Sequence, residues 1–320
     1  MSKIDISAFL KAEVRNSPFI YCMNPGNAGD ALISLATLQL FRRLNLSFSL
    51  ITTETSVDLQ GQTVVYAGGG NLVPLYGESR RFLRKHHASA QRLILLPQTI
   101  TDHEDLLAAL GRNTTVFCRE SVSLAHVNRH ARNAQVLAAD DMALLLDTRE
   151  AMKMQPRLER EAAVWHFRRI LKAGSAQLLN RCARFLLIFT SQQLKMYQYC
   201  KGIDATHGVL NAFRADIEKI DIHLSRDNLD VSRALAFGCD TEANVYLSAN
   251  RLLRYLDTFK EIFTNRLHVA IGGALLGKRV RLYPNNYHKC CSVYDFSLKE
   301  RFPNVSFHHG PASPYSRDLR

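Results

Sequence analysis

Short apolar runs alternate with amphipathic stretches through the first half of the chain. Apolar positions at helical spacing occupy residues 31–43, 104–111 and 121–130. Around them lie runs of four or five residues rich in Val, Ile, Leu, Phe and Tyr, at residues 18–22, 48–52, 63–67, 92–96, 115–118 and 135–138. Strands that alternate with helices in this way predict a doubly wound, mostly parallel sheet.

The same alternation returns in the last third of the chain. Its pattern predicts, in order, a strand with a loop, a helix, a short strand, a helix and a final strand, at residues 209–216, 228–238, 261–265, 266–277 and 279–283. We therefore expect an α/β fold with two Rossmann-like domains that face a cleft, as in the glycosyltransferase-B architecture. The expected domains are residues 1–150 and 206–320, joined by a helical connecting segment at 151–205.

The connecting segment is strongly basic. Residues 157–201 contain nine Lys and Arg but only two acids, Glu159 and Glu161, and helical periods run over 157–174 and 176–199. Two interpretations stay open at this point. The segment is either a helical pair whose basic face is solvated, or an interfacial segment that rests on an anionic membrane.

The whole chain also carries excess positive charge. Its 320 residues include 41 Lys and Arg against 29 Asp and Glu, a formal net charge of +12, which favours an anionic partner. Nucleic acid is disfavoured because the sequence has no zinc-ligand array, RNA-binding aromatic signature or long basic run. The seven Cys form no CxxC pair, and the sequence has no signal-peptide core and no apolar stretch of about 18 residues. We therefore expect a cytoplasmic protein without a transmembrane helix.

Two glycine-rich loops follow predicted strands, where ligands of parallel sheets bind. The first leads into a helix, so that free backbone N–H groups near Asn27 and Gly29 could bind an anion or a sugar hydroxyl. Asp30 would lie at the start of that helix, where a carboxylate is also a good cap. The second loop has three consecutive glycines at 68–70 but neither GxGxxG nor P-loop spacing, so we expect neither NAD nor ATP. Tight turns, capping and packing explain the same residues equally simply.

A predicted strand–helix junction near the end of the chain is the most informative segment. Thr264 and Asn265 are expected at the helix N-cap, with Arg266 and His268 in the first turn. A helix N-terminus, a guanidinium and an imidazole would converge there, which suits a phosphate or a carboxylate. Arg214 ends a predicted strand and would face the same cleft, although a neighbouring carboxylate could equally hold it in an ordinary ion pair.

Other ionisable residues match no catalytic or metal-binding motif. The twelve His show no HExxH pattern, and no Ser stands in a GxSxG pattern. Asp140 and Asp141 form an acidic pair that could hold a divalent cation or cap a helix. We expect neither a metal nor a cofactor.

These motifs, in their order along the chain, resemble the polysaccharide pyruvyl transferase family. The matching segments are GNAGDALI (26–33), GGGNL (68–72), LLPQTI (95–100), CRES (118–121), ADDMALLLD (139–147), FRADIEK (213–219), TNRLHVAIGGALLGKRV (264–280) and LYPNNYHK (282–289). Together they cover most of residues 20–290. The sequence departs from the family pattern at ADDMA, where a Pro-Asp pair is common, and in its long segment at 150–205.

The resemblance implies a glycosyltransferase-B-like fold and phosphoenolpyruvate as the donor. The residues that it places around the donor are Arg214, Thr264, Asn265, Arg266, Leu267 and His268. The residues that it places around the acceptor, on the opposite wall, are Asn27, Gly29, Asp30, Gly69, Gly70, Asn71 and Gln98. In this interpretation His268 donates a proton to the donor and Asp30 is the base for the attacking hydroxyl.

The implied reaction transfers pyruvate as a ketal to a sugar of a polysaccharide or of a lipid-linked saccharide. Such an acceptor would suit exopolysaccharide biosynthesis at the inner face of the cytoplasmic membrane. Two other functions stay open: a sugar-nucleotide-dependent glycosyltransferase of the same fold, and a membrane-associated scaffold without catalysis.

Overall fold

The computed structural model describes residues 3–15, 17–171, 208–219, 224 and 227–308. Within these ranges it contains two separate sheets, and every paired strand in both runs parallel. The predicted mixed α/β fold with a mostly parallel sheet is confirmed. The predicted helix at 176–199 lies outside the described residues.

The first sheet has seven strands in the order β2-β1-β3-β5-β6-β7, with β4 paired to β5. Their bounds are β1 Phe19–Met23, β2 Phe48–Thr52, β3 Thr63–Tyr66, β4 Gly69–Leu72, β5 Arg92–Ile100, β6 Thr114–Cys118 and β7 Gln135–Ala138. The six predicted strands of this half are confirmed. The loops expected at 68–71 and 97–99 are wrong, because Gly69 pairs with Gln98 and Leu72 pairs with Ile100.

Helices cover this sheet and connect its strands. They are α1 Ile6–Val14, α2 Ala28–Arg43, α3 Glu78–His86, α4 Glu104–Ala109, α5 Ser121–His130 and α6 Thr148–Met152, with a 3₁₀ turn at Met142–Leu145. The sequence pattern indicated α2, α4 and α5 but not α1 or α3. The helix α2 is buried along nearly its whole length, which marks it as a central element rather than a surface helix.

The second sheet has four strands in the order β11-β10-β9-β8. Its strands are β8 Val209–Ala212, β9 Glu261–Thr264, β10 Arg279–Leu282 and β11 Val305–Phe307. Its helices are α8 Val231–Ala234, α9 Glu242–Asp257, α10 Leu267–Leu275 and α11 Lys289–Val293, the last continuing into a π-helical turn at Tyr294–Leu298. Residues 279–283 were expected to form the final strand, which is wrong because β11 extends the sheet beyond β10.

The helix predicted over residues 228–238 is much shorter than expected. The Asn228 side chain is tied to the end of β8, because Phe213 N donates to its Oδ1 at 2.8 Å and its Nδ2 donates to Phe213 O at 3.1 Å. Only Val231–Ala234 is left to form α8. The segment therefore holds residues 228–230 beside the end of the second sheet.

One hydrophobic cluster joins the two sheets through α2, α9 and α10. Gly272 of α10 lies so close to its neighbours that an added Cβ would be 3.1 Å from Leu256 Cδ1 and 3.4 Å from Leu32 Cδ1. Burial of this shared apolar surface stabilises the contact between the halves. The first turns of α2 and α10 consequently lie side by side at the carboxyl ends of the two sheets.

The basic segment begins with a helix that packs against the second half. Helix α7, Pro156–Leu171, buries Ala162 in a cluster with Phe237, Tyr246 and Leu247. Among the described residues, no helix is long and apolar enough to cross a membrane. The helical period predicted from residue 157 is confirmed as far as Leu171.

Candidate functional site

A cleft with about 450 Å³ of empty volume opens where the carboxyl ends of the two sheets meet. Nine of the residues predicted from the sequence line it: Asn27, Gly29, Asp30, Gly70, Asn71, Arg214, Arg266, Leu267 and His268. The sequence therefore indicated residues on both walls of one cleft.

Four further predicted residues do not line the cleft. Gln98 is buried within β5, where its Nε2 donates to Ala67 O, and Gly69 begins β4 with φ of +137°. Thr264 Oγ1 donates to Ala212 O at 2.7 Å and accepts from the backbone N of residue 266 at 3.0 Å. Asn265 Oδ1 accepts from the backbone N of residue 214 at 2.8 Å. The side chains of Gln98, Thr264 and Asn265 thus bind nearby backbone groups instead of lining the cleft.

The start of α10 also differs from the expectation. Its N-cap residue is Arg266, and no side chain caps the helix by a hydrogen bond. Thr264 belongs to β9 instead, so the predicted N-cap at residues 264–265 is wrong by one or two residues. Thr264 and Asn265 do not cap the helix because their side chains hydrogen-bond to other backbone groups nearby. The uncapped N-terminal turn of α10 faces the cleft with Leu267 and His268.

Asp30 caps the helix at the opposite wall. Its Oδ2 accepts from Asn27 N at 2.9 Å, and Asn27 Oδ1 accepts from Gly29 N at 2.8 Å, which completes a capping box at the start of α2. The preceding turn needs a glycine, since a Cβ at Gly26 would lie 2.1 Å from Asp30 Oδ2. The capping role expected for this carboxylate is thus observed, while the same side chain lines the cleft.

Gly29 brings the two walls into contact. A Cβ added there would lie 3.0 Å from His268 Cβ and 3.3 Å from His268 Nδ1. Most real Cβ contacts are looser than this, so a side chain at position 29 would force the imidazole to shift. Glycine at this position therefore lets the imidazole lie where it does against the first turn of α2.

The other nitrogen of that imidazole contacts a buried carboxylate. His268 Nε2 lies 3.2 Å from Asp141 Oδ2, and the same oxygen accepts from Arg119 Nη1 at 2.7 Å. Asp141 Oδ1 accepts from Ala143 N at 2.9 Å, and Arg119 Nε donates to Thr99 Oγ1 at 2.8 Å. Since Arg119 and Asp141 are both buried, the imidazole is oriented by a fixed interior ion pair.

The electrostatics of this pair favour the ionised carboxylate. Burial alone would raise the pKa of Asp141, but the positive charges of His268 and Arg119 and the hydrogen bonds to the carboxylate hold that pKa well below its usual range. Asp141 was expected to cap a helix or bind a cation. It caps the 3₁₀ turn at Met142–Leu145 and also supports His268.

Each of the two predicted anion-binding arginines is already paired with carboxylates. Arg214 makes a two-point contact with Asp216, through Nε at 2.7 Å and Nη2 at 3.1 Å, and its Nη1 donates to Glu218. Arg266 contacts Asp216 through Nη2 at 2.7 Å and pairs with Asp230 through Nε and Nη2. Both guanidinium planes are therefore fixed before any ligand binds.

Glu218 connects the two halves at the other end of the cleft. Its Oε2 accepts from Arg214 and Lys289, and its Oε1 accepts from Tyr76 Oη at 2.7 Å. Burial opposes its ionisation, but the charges of Lys289 and Arg214 lower the pKa of Glu218 to about 2. For the Lys289 ammonium the effects are reversed: burial lowers its pKa, although the negative charge of Glu218 acts to raise it. Tyr76 belongs to the first half, so this carboxylate links the two walls.

The cationic side chains that line the cleft are each paired with a carboxylate among the described residues. The four cations are Arg119, Arg214, Arg266 and Lys289, and their carboxylate partners are Asp141, Asp216, Glu218 and Asp230. The sequence analysis did not assign Arg119, Glu218, Lys289 or Tyr76 to the site. Three of them stand inside matched segments, CRES, FRADIEK and LYPNNYHK, but only the fold brings them together.

One group of side chains outside the cleft has the composition of a metal site. Ligating atoms of Glu104, His126 and His130 lie within 4.8 Å of one another, at the start of α4 and along one face of α5. The Nε2 atom of His126 contacts Asp102 O at 2.8 Å. None of the three lines the cleft, so they have no part in its chemistry.

Comparison with known proteins identifies the family. The profile described as polysaccharide pyruvyl transferase matches residues 27–287. A crystal structure of a functionally uncharacterized protein from Klebsiella pneumoniae subsp. pneumoniae NTUH-K2044 is similar, with 26% identity, a TM-score of 0.67, and coverage of 95% of this chain and 97% of that one. No curated protein matches the chain. Because the profile covers most of the chain, including both walls of the cleft, the chain belongs to the polysaccharide pyruvyl transferase family and is a transferase of that general class.

Proposed function

We propose that the chain transfers pyruvate from phosphoenolpyruvate to a saccharide as a ketal and releases phosphate. The observation that carries this proposal is the arrangement of His268, which is oriented by buried Asp141, beside Arg214 and Arg266 in one cleft. Phosphoenolpyruvate is small and has two anionic groups, a carboxylate and a phosphoryl group. Pre-oriented guanidinium groups and an uncapped helix N-terminus suit such a ligand.

The reaction begins with protonation of the donor's double bond. Proton transfer from His268 to C3 of phosphoenolpyruvate converts the methylene into a methyl group and leaves an oxocarbenium-like centre at C2. His268 Nε2 is directed to Asp141, whereas Nδ1 lies beside Gly29 at the acceptor wall. Asp141 holds the ring and stabilises the imidazolium that donates the proton.

Two sugar hydroxyls then complete the ketal. The first attacks C2 and loses its proton, the C2–O bond to phosphate breaks, and the second hydroxyl of the same sugar attacks C2 and loses its proton. One hydroxyl proton replaces the proton that His268 gave, and the other leaves with phosphate or solvent. Asp30 is the proposed base for the attacking hydroxyl, since it lines the wall that faces His268. No separate cofactor takes part in this scheme.

The two sheets support a glycosyltransferase-B-like interpretation. In it the N-terminal Rossmann-like domain, residues 1–150, binds the acceptor, and the C-terminal domain, residues 206–320, binds the donor. The residues proposed for the donor are Arg214, Thr264, Asn265, Arg266, Leu267 and His268, with Thr264 and Asn265 acting through the backbone. The residues proposed for the acceptor are Asn27, Gly29, Asp30, Gly69, Gly70, Asn71 and Gln98, with Gly69 and Gln98 acting through strand geometry.

Variants of the proposed acid and base test the mechanism. His268→Ala is expected to abolish turnover, measured as phosphate release with a panel of saccharides, while the calorimetric affinity for phosphoenolpyruvate falls much less. Equal loss of turnover and affinity would make His268 a ligand only. Asp30→Asn can still accept the Asn27 hydrogen bond, so full activity in that variant would remove Asp30 as the base. If a nucleotide-sugar binds and phosphoenolpyruvate does not, the glycosyltransferase alternative replaces the proposal.

We further propose that the acceptor is lipid-linked and that α7 rests on an anionic membrane surface. The exposed side of α7 combines Val164 and Phe167 with Arg157, Arg160 and Arg168. Cations around exposed apolar side chains are typical of interfacial helices. Co-sedimentation should be stronger with anionic than with neutral vesicles, and it should weaken in Phe167→Glu. Equal binding to both vesicle types would contradict this part of the proposal.

A further inference from the structure

Arg119 has a hydrogen-bond donor that nothing in the described part of the chain uses. Its Nε and Nη1 atoms contact Thr99 and Asp141, but Nη2 is buried and has no partner among the described residues. A buried donor without an acceptor costs free energy, so such groups commonly mark a place where a ligand completes the bonding. Arg119 lines the cleft, and the missing acceptor is therefore one that a substrate can supply.

A second cation and a glycine lie beside this donor. A Cβ at Gly70 would be 3.0 Å from Arg119 Nη2 and 3.8 Å from Lys289 Nζ. The two cationic groups thus converge over the face of β4 where a side chain would otherwise stand. Lys289 is tied to Glu218 alone among carboxylates in the described residues, and its ammonium has further hydrogens to donate.

The charges around these groups distinguish them from Arg214 and Arg266. Arg214 and Arg266 each pair with two carboxylates, which leaves fewer of their N–H groups free for a ligand. In the described part of the chain Arg119 has one carboxylate partner, Asp141, and that contact uses Nη1. A phosphoryl group has more terminal oxygens and more charge than a carboxylate, so it needs more free donors. Arg119 Nη2 and the remaining hydrogens of the Lys289 ammonium offer such donors.

We propose that Arg119 and Lys289, over Gly70, form an anion subsite that binds a phosphoryl group. This inference rests on the proposed function for its ligand, and it refines it: the donor's phosphoryl group lies at Arg119 and Lys289, and its carboxylate lies at Arg214 and Arg266. Arg119 Nη1 is 3.5 Å from His268 Nε2, so the leaving phosphate departs from the neighbourhood of the proton donor.

Gly70→Ala is the most direct test because it places a methyl group between the two cations. Gly70 has no positive φ, so the backbone accepts alanine, and only the end of the Arg119 side chain must move. The matched control is Gly77→Ala, because a Cβ there meets nothing nearer than Arg81 Nη2 at 4.0 Å. Lys289→Met is a second variant that removes the ammonium and leaves Arg214 and Tyr76 on Glu218.

The probes are inorganic phosphate, pyruvate and phosphoenolpyruvate, titrated by calorimetry into the full chain. Gly70→Ala and Lys289→Met are expected to weaken phosphate and phosphoenolpyruvate at least about tenfold, the effect of losing one charged hydrogen bond. Pyruvate, which has only the carboxylate, should bind to both variants as it does to the wild type and to Gly77→Ala. Arg214→Lys should weaken pyruvate more than phosphate.

Failure of the subsite and failure of the donor assignment give different results. Phosphate affinity that is unchanged in Gly70→Ala, or a loss of pyruvate binding equal to that of phosphate, overturns the subsite. Phosphate binding that depends on Gly70 and Lys289 in a chain that does not bind phosphoenolpyruvate supports the subsite and contradicts the proposed donor. Pyrophosphate binding much tighter than phosphoenolpyruvate binding would assign the subsite to a diphosphate carrier and overturn the donor placement.

Discussion

Replacing Asp141 by alanine removes a carboxylate that three groups contact in the interior. Arg119 Nη1 lies 2.7 Å from it, Ala143 N 2.9 Å and His268 Nε2 3.2 Å. Arg119 is fully buried, so in Asp141→Ala its guanidinium would lose its carboxylate partner and keep the contact with the Thr99 hydroxyl. Breaking a buried ion pair by removing one partner costs about 3–5 kcal/mol.

This cost converts into a measurable change in melting temperature. An unfolding entropy of about 2.1 cal/mol/K per residue, taken over the 320 residues, gives a fall of about 1.5 °C for each kcal/mol. Scanning calorimetry at pH 7 should therefore show that Asp141→Ala melts about 4–8 °C below the wild type. Asp141→Asn keeps one acceptor oxygen, for either Ala143 N or Arg119 Nη1, and it should melt between the two.

A double variant separates loss of the charge pair from loss of packing. Arg119→Met with Asp141→Leu removes both charges from the interior, and apolar replacement of a buried pair is often close to neutral. The double variant should therefore be more stable than Asp141→Ala. Wild-type stability in Asp141→Ala, or a double variant that loses at least as much as the single one, would refute the assignment of a buried ion pair.

The pH dependence supplies a second readout of the same pair. The folded-state pKa of Asp141 is depressed from the ordinary value of 3.8, so its contribution to stability is present above that value and is lost as the pH falls below it. The difference in melting temperature between the wild type and Asp141→Ala should consequently narrow in acid. A difference that is constant or grows as the pH falls would contradict the depressed pKa.

Three further predictions concern other parts of the cleft and core. Glu218→Gln should lose less stability than the wild type between pH 4.5 and about pH 2, because the pKa of Glu218 falls from 4.5 to about 2 on folding. The ionised carboxylate stabilises the folded chain fully only above that range. Acid titrations of both proteins by circular dichroism check this, and identical curves would contradict it. Gly29→Ala should lower turnover at least about tenfold because the added methyl group displaces His268. Gly77→Ala is the control and should keep wild-type rates. Unchanged turnover in Gly29→Ala would contradict the close contact between residue 29 and His268. Gly273→Ala should lower the free energy of unfolding by about 1–3 kcal/mol, since its Cβ would lie 2.9 Å from Ile262 and Val280 side-chain atoms. Chemical denaturation measures this, and unchanged stability would contradict it.

The sheet strands were predictable where local sequence alone decides them. The runs at β1, β2, β3, β6 and β7 are short, apolar and flanked by polar residues, and each forms the expected strand. Strand β4 was not predictable in this way, because its glycines are typical of a loop and it exists only through pairing with β5. Tertiary pairing decides such a segment, not local propensity.

Helix α9 was missed for a different physical reason. It is buried around most of its circumference, with Asn244 and Asn250 in the interior among apolar residues, so its sequence does not show one apolar face. Asn250 Nδ2 is satisfied by Ala151 O at 2.8 Å, a partner that no local pattern reveals. Burial on several sides and long-range hydrogen bonds therefore concealed the longest helix of the second half.

The candidate site was predictable where a residue type and its position both carry chemistry. His268 and Arg266 stand together at a strand–helix junction, and Arg214 ends a strand, so fold and motif indicate the same cleft. Arg119 is a single arginine after a strand, and its partner Asp141 lies 22 residues away. Its importance comes from its burial and from an Nη2 atom that has no partner among the described residues, and the sequence alone reveals neither.

The measurement that tests the central claim most directly is thermal stabilisation by phosphoenolpyruvate beside a panel of nucleotide-sugars. A ligand that binds only the folded chain raises its melting temperature by mass action. The account predicts a concentration-dependent rise with phosphoenolpyruvate that is lost in Arg266→Lys and in Arg214→Lys but retained in Gly77→Ala. A rise with a nucleotide-sugar and none with phosphoenolpyruvate would contradict it.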